Sequence, residues 1–232
     1  MKKTLIYISF LSIFVLTIIL GGIFSKRLDK EVLKTKRVVI SPIDKNFIEA
    51  DEILKMMNFD DSISGKIDIE KLENHLSKNK FVANVEVYKD LNANVYAYVQ
   101  QYTPIARVIG KTSYYIDIEG KKRPLSKHYT ENVMLVFGNL DNEAQKNVFG
   151  LLKKIKKDKI LNRKIAEIHY INKDDYRLRL EGFKPVIKLG NLENIDDKFK
   201  KLKAIYAYII QKNMKQKYAE IQLKYKNQIV CK

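Results

Sequence analysis

The chain has 232 residues, 44 lysines and arginines against 27 acidic residues, a formal net charge of +17, and one cysteine, Cys231. A single thiol closes no intrachain disulfide, which excludes a disulfide-stapled scaffold and leaves packing to hold the fold. Seven arginines stand against thirty-seven lysines spread from end to end. Phosphate and base recognition leans on the arginine fork, so a dispersed, solvated surface accounts for the charge better than a nucleic-acid site does.

From Leu5 to Phe24 the chain reads LIYISFLSIFVLTIILGGIF, twenty residues without a charge. A helix of that length spans roughly 30 Å, the thickness of a bilayer's hydrocarbon core. The run exceeds the roughly 7–15 apolar residues of a secretory signal, and no small-residue cleavage site follows it. It therefore predicts an uncleaved transmembrane helix over 4–25, behind a head of residues 1–3 and ahead of a polar tether at 26–37. Lys2 and Lys3 on one flank compete with Lys26, Arg27, Lys30, Lys34, Lys36 and Arg37 on the other. Long domains translocate regardless of such charges, so the charge balance leaves the orientation open. The basic cluster after the span is expected to touch lipid headgroups.

Residues 38–40 read as a strand stopped by Ser41-Pro42. Apolar residues at 50, 53, 54 and 57 have helical spacing, with Asp51 and Glu52 suited to the first turn. A second short helix is expected over 69–79, with Ile69, Leu72 and Leu76 on one face. Alternating residues at 84–88 and 95–99 then predict a hairpin. The order β-α-α-β-β makes a small α+β unit over 38–104, its helices on one face of a three-stranded sheet.

The remaining 105–232 predict a β-rich domain with flanking helices. Strands are expected at 105–109, 114–118, 133–137, 165–171, 176–180 and 186–189, at a spacing that resembles a sandwich. Helices are expected at 142–156, using Phe149, Leu152 and Ile155, and at 195–213, where Ile195, Phe199, Leu202, Tyr206 and Ile209 step by four and three. A last strand over 219–225 would turn Ile221, Leu223 and Tyr225 inward and Glu220, Gln222 and Lys224 outward.

The search for catalytic chemistry yields little. Gly110-Lys111-Thr112 ends like a phosphate-binding loop, but Ile105 stands where the motif needs glycine. Ser77-x-x-Lys80 matches the serine–lysine pair of penicillin-recognising enzymes without its companion motifs. His75, His128 and His169 are far apart and have no nucleophile setting, and no Cys/His spacing suits a metal. The pairs Asp60-Asp61, Asp174-Asp175 and Asp196-Asp197 lie where carboxylates cap backbone amides. A non-enzyme without cofactor, metal or small-molecule substrate is expected.

Several runs are similar to one known family. Residues 81–85, Phe-Val-Ala-Asn-Val, look like its strand entry. Residues 100–107, Gln-Gln-Tyr-Thr-Pro-Ile-Ala-Arg, are similar to its turn between domains. Tyr114-Tyr115-Ile116-Asp117, Glu119-Gly120 and Pro124-Leu125-Ser126 follow in the family's order. Lys217-Tyr218-Ala219-Glu220-Ile221 leads into a closing run, 223–231, that is the most specific match. On these residues the chain resembles the FtsQ/DivIB cell-division family, most closely its Bacteroidota branch. It departs from that pattern in lacking tryptophan and in carrying Gln101-Tyr102 at the arginine-containing turn.

The resemblance implies a polypeptide-transport-associated (POTRA) domain over 38–104. It also implies a non-enzymatic bitopic scaffold of the divisome, with its N-terminus in the cytoplasm and its large part periplasmic, at the inner membrane and the division septum. Its expected partners are the FtsB/FtsL-type bitopic proteins and other divisome members, and its role is control of septal peptidoglycan synthesis. The family's principal partner site is carried onto the final segment, Ile221, Gln222, Leu223, Lys224, Tyr225, Lys226, Asn227, Gln228, Ile229 and Val230, as an open edge that accepts a strand. Lys198 and Lys201, with Lys200 and Lys203, are expected to attract acidic residues of that partner. The rival of another class is a membrane-anchored POTRA chaperone in membrane-protein assembly or secretion.

Overall fold

The computed structural model describes residues 13–21, 23, 36–41, 46–57, 68–91, 94–215 and 217–232. The expected head, the tether from 26 to 35 and both ends of the expected span lie outside the described residues. Inside that span, residues 13–21 are helical, and Thr17 Oγ1 bonds back to the Phe14 carbonyl at 2.7 Å. Phe14, Leu16, Ile18 and Ile19 are all exposed there. Among the described residues no helix is long and apolar enough to cross a membrane.

The chain forms two compact units, the first containing residues 48–100 and the second 101–232 together with Phe47. In the first, β1 (Lys36–Ser41) is followed by α1 (Ala50–Met57), α2 (Ile69–Ser77), β2 (Val82–Lys89) and β3 (Val95–Gln101). Helix α1 begins with Asp51 and Glu52 in its first turn and buries Ile53 and Met57. Asp68 caps α2 by accepting the Lys71 amide at 3.1 Å, and Leu72 and Leu76 face inward. The sheet order is β1-β3-β2, with β1 parallel to β3. The alternation predicted for the hairpin is present: Val85 and Val87 on β2 and Val95, Ala97 and Val99 on β3 are buried with the helices' apolar residues in one core.

The second unit is a single nine-stranded mixed sheet. Its strands are β4 (Pro104–Ile109), β5 (Tyr114–Asp117), β6 (Lys122–Arg123), β7 (Met134–Phe137), β8 (Ile165–Asn172), β9 (Asp175–Leu180), β10 (Val186–Gly190), β11 (Glu220–Gln222) and β12 (Val230–Cys231). They lie in the order β12-β11-β10-β9-β8-β7-β4-β5-β6. Helix α3 (Asn142–Lys157) and the one-turn α4 (Leu161–Lys164) separate β7 from β8, and α5 (Ile195–Gln211) separates β10 from β11. Both strand pairs are parallel, and parallel neighbours need such a crossover. The sandwich suggested by strand spacing is therefore corrected: the second layer is helical, and no second sheet is needed to bury the first.

Directly paired residues share a face of a sheet. Val108, Val136, Ile168, Leu178, Ile187 and Ile221 are consecutive partners across six strands. Val148, Leu151, Leu152 and Ile155 of α3 and Ile195, Phe199, Leu202 and Ile209 of α5 belong to the same core. Phe149, expected inside, is half-buried, with Lys153 Nζ 4.6 Å from its ring centroid. Each fully buried aliphatic in this row contributes about 1.5–3 kcal/mol.

Two short elements are held by carboxylates. Buried Asp117 accepts the Glu119 and Lys121 amides at 2.9 Å each and Arg123 Nε at 2.7 Å, folding the chain back as β6. Asp158 Oδ1 accepts the Ile160 and Leu161 amides at 3.0 and 3.1 Å ahead of α4, while its Oδ2 accepts Lys203 Nζ at 2.6 Å. The Lys203 bond, followed by these backbone bonds, holds the Asp158 carboxyl below its ordinary range. Asp158→Ala is expected to cost about 1–2 kcal/mol, the range of a lost helix cap, read as a lowered thermal midpoint.

Candidate functional site

The segment expected to dock a partner as one strand is divided in the structure into a strand, a loop and a second strand. Glu220–Gln222 form β11, in which Ile221, like Leu223 just beyond it, is completely buried. On one side β11 runs parallel to β10, with Val186, Ile187 and Lys188 opposite Glu220, Ile221 and Gln222. On the other it pairs antiparallel with β12, Ile221 opposite Cys231 and Gln222 opposite Val230. The expected open edge at Ile221 and Gln222 is therefore corrected, because both sides of β11 are already filled by the chain's own backbone. The open edge belongs to β12.

Residues 223–229 make the hairpin between the two strands. The Leu223 amide donates to the Lys188 carbonyl at 2.8 Å, and the chain then leaves the sheet. Tyr225, expected inward, is 39% exposed, with Lys224 Nζ 5.1 Å from its ring centroid. Lys226, Asn227 and Gln228 are exposed, and Ile229, Val230 and Cys231 are half-buried. Gln222 points to the face opposite Ile221 as expected, yet it is only 6% exposed, and its amide donates to Glu220 Oε1.

Which groups of β12 face outward follows from the ladder. Glu220 and Lys232 exchange both backbone bonds, at 3.1 and 2.9 Å. Antiparallel pairs alternate between bonded and non-bonded, so Cys231 opposite Ile221 is a non-bonded position. Its N–H and C=O are directed away from β11. The Cys231 side chain, in register with Ile221, lies on the core side, and burial raises its thiol pKa. The candidate site is thus a short stretch of edge backbone rather than a side-chain constellation.

The lysines of α5 differ from expectation in a physically regular way. Lys198 is 6% exposed, and its ammonium donates to the carbonyl and Oδ1 of Asn191 at 2.8 and 3.1 Å. Burial lowers its pKa. Positions 195, 198, 199 and 202 are one helical stripe, so Lys198 belongs to the inward face and is withdrawn as a partner contact. Lys201 Nζ instead braces the hairpin, donating to the Tyr225 and Lys226 carbonyls at 2.6 and 3.1 Å. Lys200 pairs with Asp197 at 3.2 Å and Lys203 with Asp158 at 2.6 Å.

Gly190, at the end of β10, has φ +73°, and a Cβ there would lie 3.0 Å from the Lys224 Cβ at the base of the hairpin. Gly190→Ala forces a side chain into the left-handed region at about 1–2 kcal/mol. It is expected to lower the second unit's melting temperature by several degrees, measured calorimetrically.

On the outer face beside this edge, Lys188 Nζ lies 2.5 Å from Glu220 Oε2, and Arg177 Nη2 lies 2.5 Å from Asp175 Oδ2. The Lys188 hydrogen bond is the main cause that holds the Glu220 carboxyl below its ordinary value of 4.5. A depressed carboxylate stabilises the fold above its unfolded pKa and loses that contribution as the pH falls through the folded one. Acidification below the ordinary glutamate range is therefore expected to loosen β11, and thermal unfolding of Glu220→Gln should depend less on pH there than that of the unsubstituted chain.

The other motifs considered for chemistry occupy structural places. Ser77 Oγ donates to the Asn74 carbonyl at 2.9 Å near the end of α2. The Lys111 amide donates to Asn139 Oδ1 at 2.8 Å in a turn. His169 lies 2.7 Å from Glu167 Oε2 and stacks on Phe137 at 4.7 Å. A groove of about 640 Å³ beside the starts of β4 and β8 mixes Glu131, Glu167 and Glu181 with Lys156 and Arg163. Among the described residues no group of His, Cys, Asp or Glu could hold a metal ion.

The sequence reading missed β12 and the outward backbone of Cys231. The signal was present, since the polar stretch 226–228 separates two apolar runs as a hairpin loop does. A family model described as FtsQ/DivIB, C-terminal related, matches residues 103–232, and one for a POTRA-like domain matches residues 34–100. No curated protein matches the chain.

Proposed function

The chain belongs to the FtsQ/DivIB family of cell-division proteins, and from that premise we propose that it is a non-enzymatic, membrane-anchored scaffold of the division machinery. It takes a strand from an FtsB/FtsL-type partner along β12 and so helps control septal peptidoglycan synthesis. The observation that carries this reading is the open side of β12: it ends the sheet, and the Cys231 backbone groups directed away from β11 suit a strand added by augmentation. The exposed face of Lys224, Tyr225 and Lys226 lies beside that edge. Lys226, together with Lys200, supplies charge that speeds association more than it tightens binding. Lys201 contributes indirectly, by fixing the hairpin.

The anchor is the apolar run from Leu5 to Phe24. Its described helical part exposes Phe14, Leu16, Ile18 and Ile19, and such a surface is at rest in lipid rather than in water. In this reading the head is cytoplasmic and both folded units are periplasmic, concentrated at the septum. A reporter active only in the periplasm, fused after Lys232, is expected to be active in cells, and a fluorescent fusion to collect at midcell. A reporter active only in the cytoplasm at that position, or an even distribution around the cell, would overturn the reading.

A further inference from the structure

Part of the outer face of the three-stranded sheet, beside exposed Asn84, Glu86 and Gln100, is aromatic and apolar where a small soluble sheet normally presents polar residues. Val39 of β1, Tyr88 of β2 and Tyr98 of β3 are 48, 55 and 43% exposed, and Leu91, just after β2, is 94% exposed. Tyr88 and Tyr96 stack at 5.0 Å with their planes 10° apart. Val39, Tyr88, Tyr96 and Tyr98 line a shallow groove of about 320 Å³, with Glu86 as the carboxylate on its rim. The Tyr96 hydroxyl donates to Asp90 Oδ2 at 3.2 Å. None of these rings is needed by the core, which lies on the opposite face with Val85, Val87 and Val99.

The occupant is set by what the chain carries next to this face. Val39 and Tyr98 are register partners, so the patch is built on β1, the strand that first follows the apolar run. Eleven residues, 25–35, separate Phe24 from β1, a reach of no more than about 40 Å. That stretch carries Lys26, Arg27, Lys30 and Lys34 against Asp29 and Glu31, a balance that favours anionic headgroups. Tyrosine, apolar in its ring and wet at its hydroxyl, collects at the boundary between headgroups and hydrocarbon.

From this we infer that the Val39–Tyr88–Tyr96–Tyr98 face of the first unit rests on the surface of the anionic bilayer that holds the apolar run. The inference depends on the anchor reading above. It assigns the face to lipid rather than to a protein strand: the rings stand on the sheet's face, whereas augmentation uses its edges.

The chain has no tryptophan, so one introduced indole reports without background. Three full-length single-tryptophan variants, Phe14→Trp, Tyr98→Trp and Tyr208→Trp, are reconstituted in phosphatidylethanolamine–phosphatidylglycerol vesicles with brominated acyl chains. Phe14→Trp is expected to be strongly quenched. Tyr98→Trp should be quenched at least twofold more than Tyr208→Trp, which samples exposed α5. Adding Tyr88→Glu and Leu91→Glu to Tyr98→Trp should return its quenching to the Tyr208→Trp level. Quenching at 14 with Tyr98→Trp no better quenched than Tyr208→Trp overturns this inference and leaves the anchor standing. Absence of quenching at 14 removes the anchor and the inference together. A blue shift of Tyr98→Trp that grows with protein concentration in detergent, without lipid, assigns the face to a second copy and also overturns it.

Discussion

Cys231→Pro is expected to weaken binding of the proposed FtsB/FtsL-type partner at least tenfold while the second unit stays folded. Proline removes the one N–H that Cys231 directs away from β11, and its ring occupies the path of an added strand. Edge positions with outward amides are where sheets accept proline. Its own ladder keeps the Glu220–Lys232 bonds, so the melting temperature should fall by no more than about 4 °C, the equivalent of roughly 1 kcal/mol in a unit of this size. A tenfold loss corresponds to about 1.4 kcal/mol, which one backbone hydrogen bond and a steric conflict readily supply. Val230→Pro is the contrasting case: it strikes the bonded pair with Gln222 and should release β12 itself. Calorimetric titration with the partner's segment measures both, and unchanged affinity in Cys231→Pro would remove the edge from the mechanism. Truncation before Ile221 is a poorer experiment, because it strips two fully buried residues, Ile221 and Leu223, from the core.

Phe47→Ala is expected to destabilise the second unit by about 3–5 kcal/mol, the usual cost of emptying a buried aromatic site. Phe47 precedes the first unit's helices in the chain, yet it is 1% exposed and packs with residues of the second. Its ring lies 4.6 Å from Tyr102, 5.1 Å from Tyr129 and 5.9 Å from Tyr115, centroid to centroid. Its amide donates to Gln101 Oε1 at 2.7 Å, and its carbonyl accepts Ser126 Oγ at 2.6 Å. The melting temperature of the second unit should drop by roughly 10 °C or more. Hydrogen exchange should accelerate at β4 and β5, with β2 and β3 unchanged. Faster exchange confined to β2 and β3 would show that the ring serves the other core.

Elements governed by local periodicity were legible in the sequence. Helices α1, α2, α3 and α5 and the β2–β3 hairpin carry their apolar stripes or alternation in full view. Pairing between distant segments was not legible, because nothing in residues 133–137 or 186–189 says which strand lies alongside. The mixed sheet with helical crossovers therefore looked like a sandwich. Elements held by one carboxylate or one turn, β6 and α4, were too short to leave a periodic trace. At the candidate site the inward places of Ile221 and Leu223 were readable, while Tyr225 was misplaced because the chain bends out of the sheet after Leu223. Lys198 was misplaced for a different reason: its residue type suggested solvent, although its helical position, between Ile195 and Leu202, indicated the interior.

The placement of Phe47 also bears on how the molecule is made. Ser126, which closes over the Phe47 carbonyl, comes 79 residues later. At roughly 5–20 residues per second, a ribosome needs about 4–16 s to deliver it. Through that interval the phenylalanine is an uncovered hydrophobic handle on a nascent chain, and contacts of such long sequence separation form slowly. The aromatic cluster around Phe47 therefore closes only after translation has passed residue 129.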